Sequence, residues 1–163
     1  MVENEAKLVL HVEDNAAHAD LVKRQLSRDR PDVKLVQCLD GETALRYLSR
    51  GTRPALVLLD LRLPKIDGLE VLRQVKDSPE LCRLPVVVLS TSSASTDMLS
   101  AYRNGANGYL IKPLEFNQFR EMMVSLCHFW LDWNVEPARS DTDPSNQWRR
   151  GHRERPVTAD PAD

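Results

Sequence analysis

Four short apolar runs constrain this chain most. They are Leu8-Val9-Leu10-His11-Val12, Leu56-Val57-Leu58-Leu59, Val86-Val87-Val88-Leu89 and the shorter Tyr109-Leu110-Ile111. They are rich in β-branched residues and do not alternate with polar ones. A strand with one wet face alternates, whereas a strand covered on both faces need not. These runs therefore predict interior strands of a parallel sheet. Lys34-Leu35-Val36-Gln37-Cys38 is a more polar fifth run, which suits a sheet edge.

Between the runs lie helical patterns over 16–28, 42–50, 69–76 and 96–104. Each places apolar residues three or four apart, as in Leu21, Val22 and Leu26, or Leu69, Leu72 and Val75. Gly41, Gly51, Gly68 and Gly105 punctuate the ends, and Asp14 or Asn15 can cap the first helix. Strand and helix thus alternate five times. That order predicts an α/β fold, a five-stranded parallel sheet with helices on both faces. Such sheets bind ligands outside the carboxyl ends of their strands, where strand order reverses.

The last helix is long, from Glu115 to about Trp133. Phe116, Phe119, Met123, Leu126, Trp130 and Trp133 form one apolar stripe, and Met122, Phe129 and Leu131 exceed what one buried face requires. Beyond it, 135–163 is rich in Pro, Asp, Arg and Ser without periodicity, which predicts a domain over 1–134 and a disordered tail over 135–163. The basic tract at 149–155 reads as a solvated part of that tail.

A formal charge of -2 gives no bulk pull toward nucleic acid or membrane. Cys38, Cys82 and Cys127 are too few and too scattered for a disulfide framework or a metal spacing, and are expected to be buried thiols. No apolar run has the length of a signal-peptide core or a membrane span. The expectation is a cytoplasmic protein without direct DNA or membrane binding.

Chemistry-bearing residues follow each interior strand. Glu13-Asp14 follow the first, Asp60 the third, Ser90-Thr91-Ser92 the fourth and Lys112-Pro113 the fifth. Parallel strands bring these clusters to one sheet edge. Asp60 ends an apolar run, so its charge needs a cation or a proton nearby. Three carboxylates together repel, which raises their pKa values or recruits a cation, and the oxygen-only set suits Mg²⁺. His11 lies within its strand, so zinc is not expected. Lys112 supplies a point charge for a phosphoryl group, and Ser90 a hydrogen bond to it.

This set resembles the receiver domain of bacterial response regulators. The loop Asp60-Leu-Arg-Leu-Pro64-Lys-Ile-Asp-Gly68 and the segment Gly105-Ala-Asn-Gly-Tyr109-Leu-Ile-Lys112-Pro113 carry the same resemblance, which spans about Leu8 to Trp133. It implies a flavodoxin-like fold with strand order 2-1-3-4-5. It implies that Asp60 is the phosphoacceptor for a sensor histidine kinase. Glu13, Asp14, Asp60 and the backbone carbonyl of Arg62 would hold Mg²⁺. Lys112 would pair with the phosphoryl oxygens and Pro113 would follow a cis bond. Ser90 and Tyr109 would form the switch, with Thr91 narrowing access where the family carries a smaller residue. Arg62 and Ser92 stand where the family tunes phosphoryl lifetime.

Phe129-Trp130-Leu131 and the acidic residue after it resemble single-domain receivers that pair with bacteriophytochrome kinases. That implies a homodimer through the last helix, with Phe129, Trp130 and Leu131 as its patch. With no output domain in view, the signal would leave by a protein contact, by competition for phosphate or by a relay. Two other classes fit less well. A phosphohydrolase of the haloacid-dehalogenase type wants a second Asp at the position of Arg62. A nucleotide or flavin binder wants a phosphate loop where Glu13-Asp14 stand.

Overall fold

The computed structural model describes residues 6–136. The chain alternates β1 (Lys7–Val12), α1 (Ala16–Asp29), β2 (Val33–Cys38), α2 (Gly41–Ser49), β3 (Leu56–Leu59), α3 (Gly68–Asp77), β4 (Val86–Ser90), α4 (Ser95–Arg103), β5 (Gly108–Ile111) and α5 (Phe116–Cys127). All strand pairs are parallel, in the order β2-β1-β3-β4-β5. The predicted flavodoxin-like arrangement is the one observed. The tail over 135–163 lies outside the described residues apart from Val135 and Glu136, and so does the basic tract at 149–155.

The non-alternating strand runs have a direct structural reason. Successive side chains point to opposite faces, and both faces are covered. Leu10, Val12, Val57, Leu59, Val86 and Val88 pack with Ala44, Leu48, Val71, Leu72, Val75 and Ala101 of α2, α3 and α4. Val9, Leu56, Leu58, Val87 and Leu89 pack with Val22, Leu26, Phe119, Met123 and Leu126 of α1 and α5. β2 sits at the edge and is only partly buried, as its polar pattern predicts.

Helix caps fix where the strand ends lie. Asn15, and not Asp14, caps α1 by accepting from the backbone N–H groups of Ala17 and His18 at 3.0 and 3.1 Å. Asp14 is thereby left exposed at the sheet edge. Asp40 and Asp67 cap α2 and α3 in the same way. Gly68 opens α3 against the backbone of β3's end. A Cβ there would stand 2.1 Å from the Asp60 carbonyl oxygen, so no side chain fits.

The end of the last helix departs from expectation. The α-helix stops at Cys127, and His128–Trp133 form a wider π-helical turn closed by the Asn134 N–H on the Phe129 carbonyl at 2.8 Å. The extra residue per turn shifts which side chains face inward. Leu131 is buried among the α1–α5 core residues, so it is core and not part of a surface patch. Trp130 is half-buried against the same core, while Phe129 and Trp133 are 55 % and 68 % exposed. Phe116, expected in the stripe, is also exposed because it opens α5 beyond the edge of the sheet. An ion-pair cluster holds the π turn down: Arg30 donates to Asp132 at 2.9 and 3.2 Å and to Asp32 at 2.7 and 2.9 Å. Cys38 and Cys127 are buried as expected, whereas Cys82 is half-buried in the turn after α3.

Candidate functional site

The strand order reverses between β2-β1 and β3-β4, which makes the β1/β3 edge the crevice of the sheet. Backbone bonds carry the ladder one residue past the strands. The Glu13 N–H reaches the Cys38 carbonyl at 3.0 Å, the Asp60 N–H the Val12 carbonyl at 3.0 Å, and the Lys112 N–H the Ser90 carbonyl at 2.8 Å. Glu13, Asp60 and Lys112 are therefore fixed by the sheet, and loop freedom does not reach them.

Their side chains converge. Lys112 Nζ donates to Glu13 Oε2 at 2.5 Å and lies 3.4 Å from Asp60 Oδ2. Glu13, Asp60 and Lys112 are all buried. Carboxylate oxygens of Glu13, Asp14 and Asp60 lie within 4.8 Å of one another. Three acids thus share one ammonium, and the charge balance is short by two. Burial raises the Glu13 carboxyl above the usual range, against the opposing pull of Lys112. The donors are all hard oxygens, which fits a divalent cation that accepts oxygen ligands and retains water.

Two histidines complete the surroundings. His18, on the first turn of α1, brings Nδ1 to 3.1 Å from Lys112 Nζ. Gln37 Nε2 donates to the Ala19 carbonyl at 2.7 Å and faces His11 Nδ1 at 3.2 Å, which puts the His11 proton on Nε2. Burial, with the Lys112 ammonium and His18 nearby, pushes the His11 imidazole down to about 3. His11 is a buried core residue of β1.

The β4–α4 side is a chain of hydrogen bonds. Ser90 is fully buried, and its Oγ accepts from the Ser92 N–H at 3.1 Å. The Tyr109 hydroxyl donates to the Ser92 carbonyl at 2.9 Å, and its ring packs against the α2–α4 core. Thr91 is exposed on the loop. Arg62 N–H donates to Asp60 Oδ1 at 3.3 Å, and its guanidinium reaches Asp97 on α4 at 2.8 Å. A cavity of about 480 Å³ opens beside the acids, lined by Asp14, Arg62, Pro64, Asp67 and Asp97 among others.

One sequence expectation fails here. The Lys112–Pro113 bond is trans, as is every peptide bond among the described residues. Trans is the lower-energy form of an X-Pro bond by about 0.5–1 kcal/mol, and Lys112 reaches both carboxylates with it. Two site neighbours were not singled out in the sequence, His18 and Asp97. Both are the third residue of a helix that starts at the carboxyl edge of a strand. The first turn of such a helix abuts the same edge, and that is the signal that locates them.

Residues 9–124 match the response regulator receiver domain. The chain belongs to that family. This receiver domain is 46 % identical over 136 residues to the probable methanogenesis regulatory protein FilR2 of Methanothrix harundinacea, covering 80 % of this chain and 88 % of FilR2. It is 38 % identical over 141 residues to the response regulator Rcp1 of Synechocystis, covering 83 % of this chain and 96 % of Rcp1. A crystal structure of Rcp1 in its Mn²⁺-bound form superposes with a TM-score of 0.74 at 38 % identity, covering 81 % of this chain and 99 % of that one. The phosphorylated cyanobacterial phytochrome response regulator RcpA superposes with a TM-score of 0.76 at 37 % identity, over 81 % and 99 %. The receiver domain is thus homologous to phytochrome response regulators. Receiver domains are signalling phosphoacceptors, bind divalent metal and partner with histidine kinases. No helix among the described residues is long and apolar enough to cross a membrane.

Proposed function

We propose that Asp60 accepts a phosphoryl group from the phosphohistidine of a sensor histidine kinase, and that the protein acts as a switch and not as a turnover enzyme. The observation that carries this reading is the buried Asp60 carboxylate at the sheet's reversal point, 3.4 Å from Lys112 Nζ and within 4.8 Å of two further acids. Asp60 Oδ attacks phosphorus in line as the P–N bond to the histidine breaks. Lys112 offsets charge on the equatorial oxygens, so the chain's work is positioning and electrostatics. Glu13, Asp14, Asp60 and the Arg62 carbonyl would hold Mg²⁺, which when bound neutralises phosphoryl oxygens. Ser90 then turns its hydroxyl from the Ser92 N–H to the phosphoryl group, and Tyr109, bonded to the same loop at Ser92, follows. Thr91 flanks the entrance.

The likeness to RcpA supports a bacteriophytochrome as the partner kinase, and the phosphotransfer would take place in the cytoplasm. The exposed Phe129 and Trp133, with half-buried Trp130 between them, support a homodimer through the last helix. Incubation with Mg²⁺ and a small acyl phosphate, read by intact mass, tests the central reading. One phosphate is expected on the parent and none on Asp60→Asn. No adduct on the parent, or an undiminished one on the variant, overturns it.

A further inference from the structure

Outside the acid cluster, one carboxylate holds together two residues that flank the site. Asp97 Oδ2 accepts from Arg62 Nη2 at 2.8 Å and from Ser92 Oγ at 2.6 Å. Arg62 comes from the loop after β3, Ser92 from the loop after β4 and Asp97 from the first turn of α4. The Asp97 side chain is 19 % exposed, while the Arg62 side chain is 73 % exposed. The shared acceptor is therefore the fixed part and the guanidinium the movable one. Arg62 and Asp97 also line the cavity, as Asp14 does.

Arg62 is tethered within reach of two anions. Its backbone N–H already donates to Asp60 Oδ1, so its side chain starts two residues from the phosphoacceptor. In the unphosphorylated protein Lys112 is the cation beside Asp60, at 3.4 Å, and the Arg62 guanidinium is paired with Asp97. A phosphoryl group brings nearly two negative charges and three acceptor oxygens to Asp60. Guanidinium binds such oxygens in a bidentate fork, which a single shared carboxylate oxygen cannot match.

We propose that Asp97 is a latch. It holds Arg62 away from unphosphorylated Asp60 and yields it to the phosphoryl group, over which Arg62 then lies as a cover against water. Asp97 is a positioning residue that acts through Arg62. This inference rests on the phosphoacceptor reading.

The test is the half-life of the acyl-phosphate-derived adduct, followed by intact mass after the donor is removed. Asp97→Asn keeps the acceptor for Ser92 and removes the charge that retains Arg62. The adduct is expected to last about two to five times longer, the range that one exposed ion pair represents. Arg62→Gln is expected to shorten the half-life, and adding Asp97→Asn to it should then change nothing. A merely structural role for Asp97 at the start of α4 would act equally in both backgrounds. An unchanged or shortened half-life in Asp97→Asn, an equal effect with and without Arg62, or an indifferent Arg62→Gln overturns the latch alone. No adduct on the parent overturns the phosphoacceptor reading and the latch with it.

Discussion

Removing the charge of Asp60 is expected to stabilise the metal-free protein. At an effective dielectric constant of about 20, two unit charges 4.8 Å apart repel by about 3.5 kcal/mol. Asp60 faces two such neighbours, Glu13 and Asp14. Lys112 at 3.4 Å returns about 5 kcal/mol of attraction on the same scale. The balance is about 2 kcal/mol against the charge, before the cost of its burial is counted. Asp60→Asn is isosteric and keeps an oxygen for the Arg62 N–H. Urea unfolding in EDTA should place its midpoint about 1 M above the parent's. Saturating Mg²⁺ stabilises the folded parent by mass action and the variant less, so the gap should close or invert. A variant as stable as the parent or weaker in EDTA would refute the reasoning, because the three carboxylates would then not be held in net repulsion.

Gly68→Ala forces a Cβ into the Asp60 carbonyl and the Leu61 backbone, with no flexible side chain to yield, and threatens the 2.9 Å bond from the Gly68 N–H to Leu61. A loss of about 3 kcal/mol in urea unfolding is expected, and a neutral substitution would contradict the close approach. Burial pushes the Cys127 thiol from 9.0 up to about 11, so the folded form ionises after the unfolded one. Its stabilising contribution is whole below pH 9 and falls by about 1 kcal/mol per unit from there to pH 11. In alkylation at pH 8 the half-buried Cys82 should react well before Cys127, and the reverse order would count against the burial. Phe129→Ala is expected to shift sedimentation from dimer toward monomer, and an unchanged state would remove the π turn from the interface.

The fold was legible because its signals are local and redundant. Runs such as Val86-Val87-Val88-Leu89 are too apolar for a one-sided strand, and Gly41, Gly68 and Gly105 stand where the helices begin or end. The convergence of Glu13, Asp14, Asp60 and Lys112 was legible for a topological reason, since parallel strands deliver their carboxyl ends to one edge. What escaped the sequence depends on angles and partners. A heptad-like stripe assumes 3.6 residues per turn to its end, so it could not foresee that a π turn would bury Leu131 and expose Trp133. The trans bond at Pro113 is a choice between two close energies, which residue identity alone does not settle. Asp97 carries no motif, and its importance comes from meeting Arg62 across 35 positions of chain.

The most direct test locates the phosphoryl group by chemistry. After treatment with Mg²⁺ and a small acyl phosphate, borohydride reduces an aspartyl phosphate to homoserine, and peptide mass spectrometry reads the position. Homoserine at position 60 alone is expected. Homoserine at Asp14 or Asp67 with Asp60 intact, or none anywhere, would contradict the claim that Asp60 is the phosphoacceptor.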